Sequence, residues 1–167
     1  MKAVMTAWLT TALLLASQLA QANLTIEITR GNESATPIAV VPFAGGEGLP
    51  EDVARVVHDD LERSGYFEPL PRRQMMDQPA SVDEVRYGDW KALDVRYLVV
   101  GSAEREGDGY RLRFELMDVS GEKRMLGEYV EGGRDQLRAR AHYIADQIFE
   151  KITGIRGAFQ TRIAYVT

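Results

Sequence analysis

Pro37-Ile38-Ala39-Val40-Val41-Pro42-Phe43 sets four apolar residues in an unbroken run between two prolines, and Ala44-Gly45-Gly46-Glu47-Gly48 follows it. A short apolar run rich in β-branched residues, without polar alternation, is the pattern of a strand covered on both faces. Pro37 and Pro42 fit only at its ends, because proline has no N–H to give the ladder. The glycines turn the chain, and Pro50-Glu51-Asp52 opens a helix expected over residues 50–64. A strand that feeds a helix is the first half of a crossover unit. The run therefore predicts an α/β layer rather than a bundle or a sandwich.

The flanking sequence extends that layer. Glu51 and Asp52 are expected in the first helical turn, where carboxylates favour the positive end of the helix dipole. Val53, Val56, Val57 and Leu61 form one apolar stripe, and Gly65 is the natural stop. Residues 66–70 read as a short returning strand closed by Pro71, and residues 72–87 have little periodicity. A short helix over 89–93 is anchored by Trp90. Tyr97-Leu98-Val99-Val100-Gly101 is the second strongly apolar strand, turned back by Gly107-Asp108-Gly109. Tyr110, Leu112, Phe114 and Leu116 then alternate with Arg111, Arg113 and Glu115, an antiparallel strand with one wet face. A weaker strand over 125–130 follows the turn at Ser120-Gly121-Glu122. In the last helix Leu137, Ala141, Ile144, Ala145, Ile148, Phe149 and Ile152 share one face, and Gly154 ends it. Only a sheet buries that stripe economically.

The two ends read differently. Met1-Lys2, the apolar stretch over 7–16 and Ala20-Gln21-Ala22 make a secretory signal peptide over residues 1–22, with the mature chain starting at Asn23. A membrane anchor is the alternative, and the run is short for one. Leu24, Ile26 and Ile28 alternate with Thr25, Glu27 and Thr29, the pattern of a half-buried strand or of a strand awaiting a partner. Arg30-Gly31-Asn32-Glu33-Ser34 is a flexible joint. At the other end, residues 161–167 have a strand pattern with no hairpin after it. That strand either pairs back on the sheet or begins a longer protein.

Composition removes several chemistries. The 167 residues include no cysteine, which excludes disulfides, thiolate chemistry and a lipid-anchored cysteine. With Lys2 removed, the mature side chains carry 19 basic against 25 acidic groups, a net of −6, and no basic block stands out. Both argue against a nucleic-acid partner. Two histidines, His58 and His142, are too few for an ordinary zinc site and are expected at the surface or its boundary. Gly45-Gly46-Glu47-Gly48 precedes a helix N-terminus, where backbone N–H groups can hold an anion. It lacks both phosphate-binding glycine spacings, however, and Glu47, Glu51 and Asp52 would repel a phosphate. Asp59-Asp60 and Asp83-Glu84 are pairs in sequence only, since adjacent helix residues point apart. Met75-Met76 and Trp90 are expected in the core or at its boundary. No enzyme, cofactor or metal site is expected.

Pro37-Ile38-Ala39-Val40-Val41-Pro42-Phe43, Asp60-Leu61-Glu62-Arg63-Ser64-Gly65-Tyr66-Phe67-Glu68-Pro69-Leu70 and the stretch from Phe149-Glu150-Lys151-Ile152-Thr153-Gly154 through Ile155-Arg156-Gly157-Ala158-Phe159-Gln160-Thr161 to Arg162-Ile163-Ala164-Tyr165-Val166 resemble the TolB family. These are periplasmic components of the Tol-Pal system, and the similarity runs the length of the chain. The resemblance implies an α/β domain over residues 35–157, a mixed five-stranded sheet packed with helices, ending in the first strand of an absent β-propeller over 158–167. It implies a non-enzymatic interaction protein of the periplasm that serves outer-membrane integrity and invagination at cell division. It also implies contacts with TolA through Asn23-Leu24-Thr25-Ile26-Glu27-Ile28-Thr29-Arg30-Gly31-Asn32-Glu33-Ser34, and with Pal through the missing propeller. A periplasmic ligand-binding or sensory α/β domain is the alternative, motivated by the glycine turn.

Overall fold

The run between the prolines forms the strand that its composition predicts. In the computed structural model, which describes residues 35–161, β1 (Thr36–Val40) lies inside a five-stranded mixed sheet of order β2-β1-β3-β4-β5. The strands β2 (Phe67–Pro69) and β3 (Tyr97–Glu106) flank β1 in parallel. Beyond them β4 (Gly109–Asp118) and β5 (Lys123–Gly133) continue the sheet as antiparallel neighbours. Among the described residues the α-helices are α1 (Val53–Arg63), α2 (Tyr87–Ala92) and α3 (Leu137–Thr153).

Alternation along β1 divides the core into two layers. Ile38 and Val40 face α1 and α3, packing with Val57, Leu61, Phe114, Leu116, Ile144 and Ile148. Ala39 and the following Val41 face the other way, onto Trp90, Leu98, Val100 and Met117. All four are completely buried, which is why the run tolerates no polar residue. The α3 stripe lies on the sheet as its spacing predicts, and Gly154 caps the helix at φ +71°, the left-handed region open to glycine.

The boundaries differ from expectation where side chains take on special roles. Pro37 is inside β1 rather than at its end, paired with Glu68. The ladder loses nothing there: Thr36 donates to Tyr66, so Pro37 turns toward β3, which begins only opposite Ile38. Helix α1 starts at Val53, not near Pro50, because Asp52 is its N-cap and accepts the Arg55 N–H at 3.0 Å. Neither Glu51 nor Asp52 is in the first turn. Strand β3 runs past Gly101, whose missing Cβ makes room for the Phe43 ring; an added Cβ would lie 2.6 Å from Phe43 Cζ. Strand β5 is longer than residues 125–130 and carries a bulge at Met125, since Leu116 pairs with Leu126 but Met117 pairs with Arg124. Met76 is exposed rather than in the core or at its boundary. The strands expected over 24–29 and 161–167 fall outside the described residues, Thr161 excepted, and Thr161 is not in a strand.

Candidate functional site

The glycine turn is built for close backbone approach. Gly45 has φ +71°, and the carbonyl of Ala103 occupies the space its Cβ would need. Ala44 donates to Gly101 at 2.9 Å and accepts from Ala103 at 2.8 Å, while the Gly46 N–H donates to Phe43 at 2.9 Å. At the N-terminus of α1, Asp52 also receives both Arg72 Nη atoms, at 2.7 and 2.9 Å. The guanidinium of Arg72 holds the Asp52 carboxyl below the usual carboxylate range, helped by the Arg55 N–H and opposed by partial burial. A carboxylate of the chain itself thus occupies the place where an anion would sit.

The two histidines have unlike surroundings. His58 Nδ1 is 3.2 Å from Asp59 Oδ1, and ligand atoms of His58, Asp59 and Glu62 lie within 4.8 Å of one another. All three come from one stretch of α1, and Arg55 sits 3.8 Å from the same Asp59 carboxylate. His142 lies at the boundary, its side chain 21% exposed like that of His58, and Nδ1 donates to Asp60 Oδ2 at 2.6 Å. Asp60 is buried and also accepts from Arg63. Asp59 and Asp60 diverge as adjacent helix residues must.

A second charged cluster lies on the face of β3–β5 turned away from α3. Glu115 is buried there between Arg113 at 3.0 Å and Arg124 at 2.9 Å. Beside it Ser102, Glu104, Arg111, Arg113, Tyr129 and Glu131 line a shallow depression of about 440 Å³. At the end of α3 the chain folds back: the Phe159 N–H donates to Asp146 Oδ1 at 2.8 Å, and the Phe159 ring meets Phe149 edge-on at 5.7 Å. The Asp60 and Asp146 partnerships were not foreseen, and both carboxylates are buried. The expected partner-binding residues 23–34 lie outside the described residues.

The family model of the TolB amino-terminal domain matches residues 24–125. The chain is 50% identical over 158 residues to the Tol-Pal system protein TolB of Pseudomonas aeruginosa, covering 93% of this chain and 37% of that protein. It is 51% identical over 144 residues to the Tol-Pal system protein TolB of Pseudomonas putida, covering 85% and 33%. The crystal structure of TolB from Acinetobacter baumannii superposes with a TM-score of 0.67 at 30% identity, over 75% of this chain and 30% of that one. The chain spans about a third of the length of the curated relatives it matches. The extent of these matches leads to one conclusion: the chain belongs to the TolB family, as its amino-terminal domain.

Proposed function

We propose that this chain is the non-enzymatic, partner-binding front part of a periplasmic Tol-Pal system protein. The supporting observation is the agreement, 50% identical over 158 residues, with a protein named for that system. In this reading residues 1–22 direct export, 23–34 bind TolA, 35–157 form the α/β domain and 158–167 open a β-propeller that binds Pal. Contact with TolA on one side and Pal on the other serves outer-membrane integrity and the inward movement of that membrane at division. No described helix is long and apolar enough to cross a membrane.

The chemistry of residues 23–34 suits such a contact. Leu24, Ile26 and Ile28 alternate with Thr25, Glu27 and Thr29, so the segment can add to an open sheet edge of TolA, with main-chain bonds for affinity and side-chain pockets for specificity. Calorimetry with the C-terminal domain of TolA tests this. Burial of an isoleucine contributes about 1.5–3 kcal/mol, so Ile26→Asp weakens binding by at least about tenfold. Unchanged affinity after deletion of residues 23–34 would sink the assignment. Pal is tested separately: this chain does not capture it in a pull-down, whereas a chain extended through the propeller does.

A further inference from the structure

The two edges of the sheet are not equivalent. Strand β2 is 3 residues long. Thr36 donates to Tyr66 and Leu70 donates to Ile38, so Tyr66, Glu68 and Leu70 turn their backbone groups toward β1. Phe67 and Pro69 are left facing outward, and Pro69 has no N–H. That edge is closed to strand addition.

Strand β5, at the other edge, has 11 residues. Val99 and Gly101 accept from Val41 and Ala44, so the odd residues of β3 face β1 and the even ones face β4. The pairs Ser102↔Arg113 and Phe114↔Glu128 carry this alternation across the sheet. Leu126, Glu128 and Val130 therefore bond to β4, and the N–H and C=O groups of Gly127, Tyr129 and Glu131 point out of the sheet. Among the described residues nothing hydrogen-bonds to them.

The flanks of this edge differ in chemistry. On the side of α3, the stem of Arg140 lies over Gly132, where a Cβ would be 2.9 Å from Arg140 Cγ. Arg140 Nε is buried without an acceptor, and its Nη2 makes one long contact of 3.5 Å with Gln136. Among the described residues Arg140 has no carboxylate within ion-pair distance, while Glu128 nearby accepts from Tyr143. On the opposite side the Tyr129 ring is 66% exposed.

We propose that the outer edge of β5 is a docking site for an extended segment of another protein, alternating acidic and apolar residues. The segment adds as a sixth strand along Gly127, Tyr129 and Glu131. Its side chains alternate between faces, so the carboxylates meet Arg140 while the apolar residues cover Tyr129. The proposal does not rest on the assignment made above for residues 23–34, and its test reads other residues.

The test is an NMR titration of the full chain with a short synthetic peptide alternating valine and glutamate, and with its lysine-for-glutamate counterpart. The glutamate peptide slows amide exchange at Gly127, Tyr129 and Glu131 and binds about tenfold more tightly than the lysine peptide. Arg140→Gln removes that preference. Tyr129→Pro, whose lost N–H lies outside the ladder, abolishes binding of both; should that variant fail to fold, Arg140→Gln alone decides. Equal binding of the two peptides, or protection elsewhere on the sheet, overturns the proposal. Dimerisation of the chain through these same amides without peptide also overturns it, since the edge then belongs to a second copy.

Discussion

His142 on α3 donates from Nδ1 to Asp60 Oδ2 on α1 at 2.6 Å, across the layer where the two helices meet. Asp60 is 2% exposed, whereas its other partner, Arg63, is 62% exposed and reaches water. The carboxylate, not the cations, is the group that depends on this arrangement. A carboxylate can only accept, so His142 must hold its proton on Nδ1.

His142→Ala leaves Asp60 in the helix interface with Arg63 alone, at a cost of about 1–3 kcal/mol. Asp60→Leu replaces the carboxylate with apolar volume beside Val56 and Val57, and Arg63 swings into solvent. The guanidinium is therefore not left as a buried, unpaired charge, the case in which removing one partner is costly, and the leucine variant is the more stable of the two. Urea unfolding orders them, and the reverse order would show that the interhelical bond contributes little.

Acid titration isolates a second pair. Arg72, bound to the Asp52 carboxylate, lowers its pKa in the folded chain. A depressed carboxyl pKa stabilises the fold fully above the unfolded value, about 4. The contribution is lost as pH falls through the lower folded value. Asp52 is 47% exposed, so solvent screening limits the effect to about 1 kcal/mol or less. Asp52→Asn keeps the N-cap and loses the pH-dependent part. Thermal unfolding of the two proteins should separate above the unfolded carboxyl value, about 4, and converge as pH falls through the lowered folded value. Parallel curves throughout would mean that Arg72 does not act on Asp52.

Elements buried on two faces or along one stripe were legible from spacing: β1 between its prolines, and α3 from Leu137 to Ile152. The limits of β5 were not, because its outward face is wet and Gly127, Gly132 and Gly133 carry no pattern. Asp60 gave half of its story. It falls three residues after Val57 and four after Val56, on the apolar stripe, where a carboxylate requires a partner. That partner, His142, is 82 positions away in the chain, and no local spacing encodes it. The same holds for Asp146, whose neighbours arrive only when the chain turns back after Gly154.

Trp90 is 1% exposed, and its Nε1 is buried with no acceptor among the described residues. Trp90→Phe removes a donor whose burial costs about 1–3 kcal/mol and loses part of the ring that fills the layer below Ala39 and Val41. The two effects offset, so the net change is within about 1 kcal/mol. Trp90→Ala has no such compensation and costs about 3–5 kcal/mol. Urea unfolding of both variants checks the contrast, and a loss above about 3 kcal/mol for the phenylalanine variant would show that the indole N–H has a partner.

Gly157 fixes how the chain leaves α3. Its φ is not in the left-handed region, so conformational freedom is not the reason for glycine here; space is. A Cβ at this position would lie 2.6 Å from Asp146 Cα and 2.8 Å from Asp146 Cβ, atoms held by the helix itself. Gly157→Ala therefore lifts the tail away from α3. The Phe159 N–H then loses the Asp146 carboxylate, a bond to a charged group worth about 1.5–3 kcal/mol. The ring loses its edge-on contact with Phe149, worth about 0.5–1.5 kcal/mol. Phe159→Ala forfeits only the ring and keeps the backbone bond. Amide exchange at Phe159 should accordingly rise steeply in Gly157→Ala and modestly in Phe159→Ala, while exchange in the middle of β1 stays slow in both. Asp146→Ala alone removes the acceptor, so it should speed exchange at Phe159 as steeply as Gly157→Ala does. Exchange at Phe159 in Asp146→Ala as slow as in the unsubstituted chain would show that this bond does not hold the tail against α3.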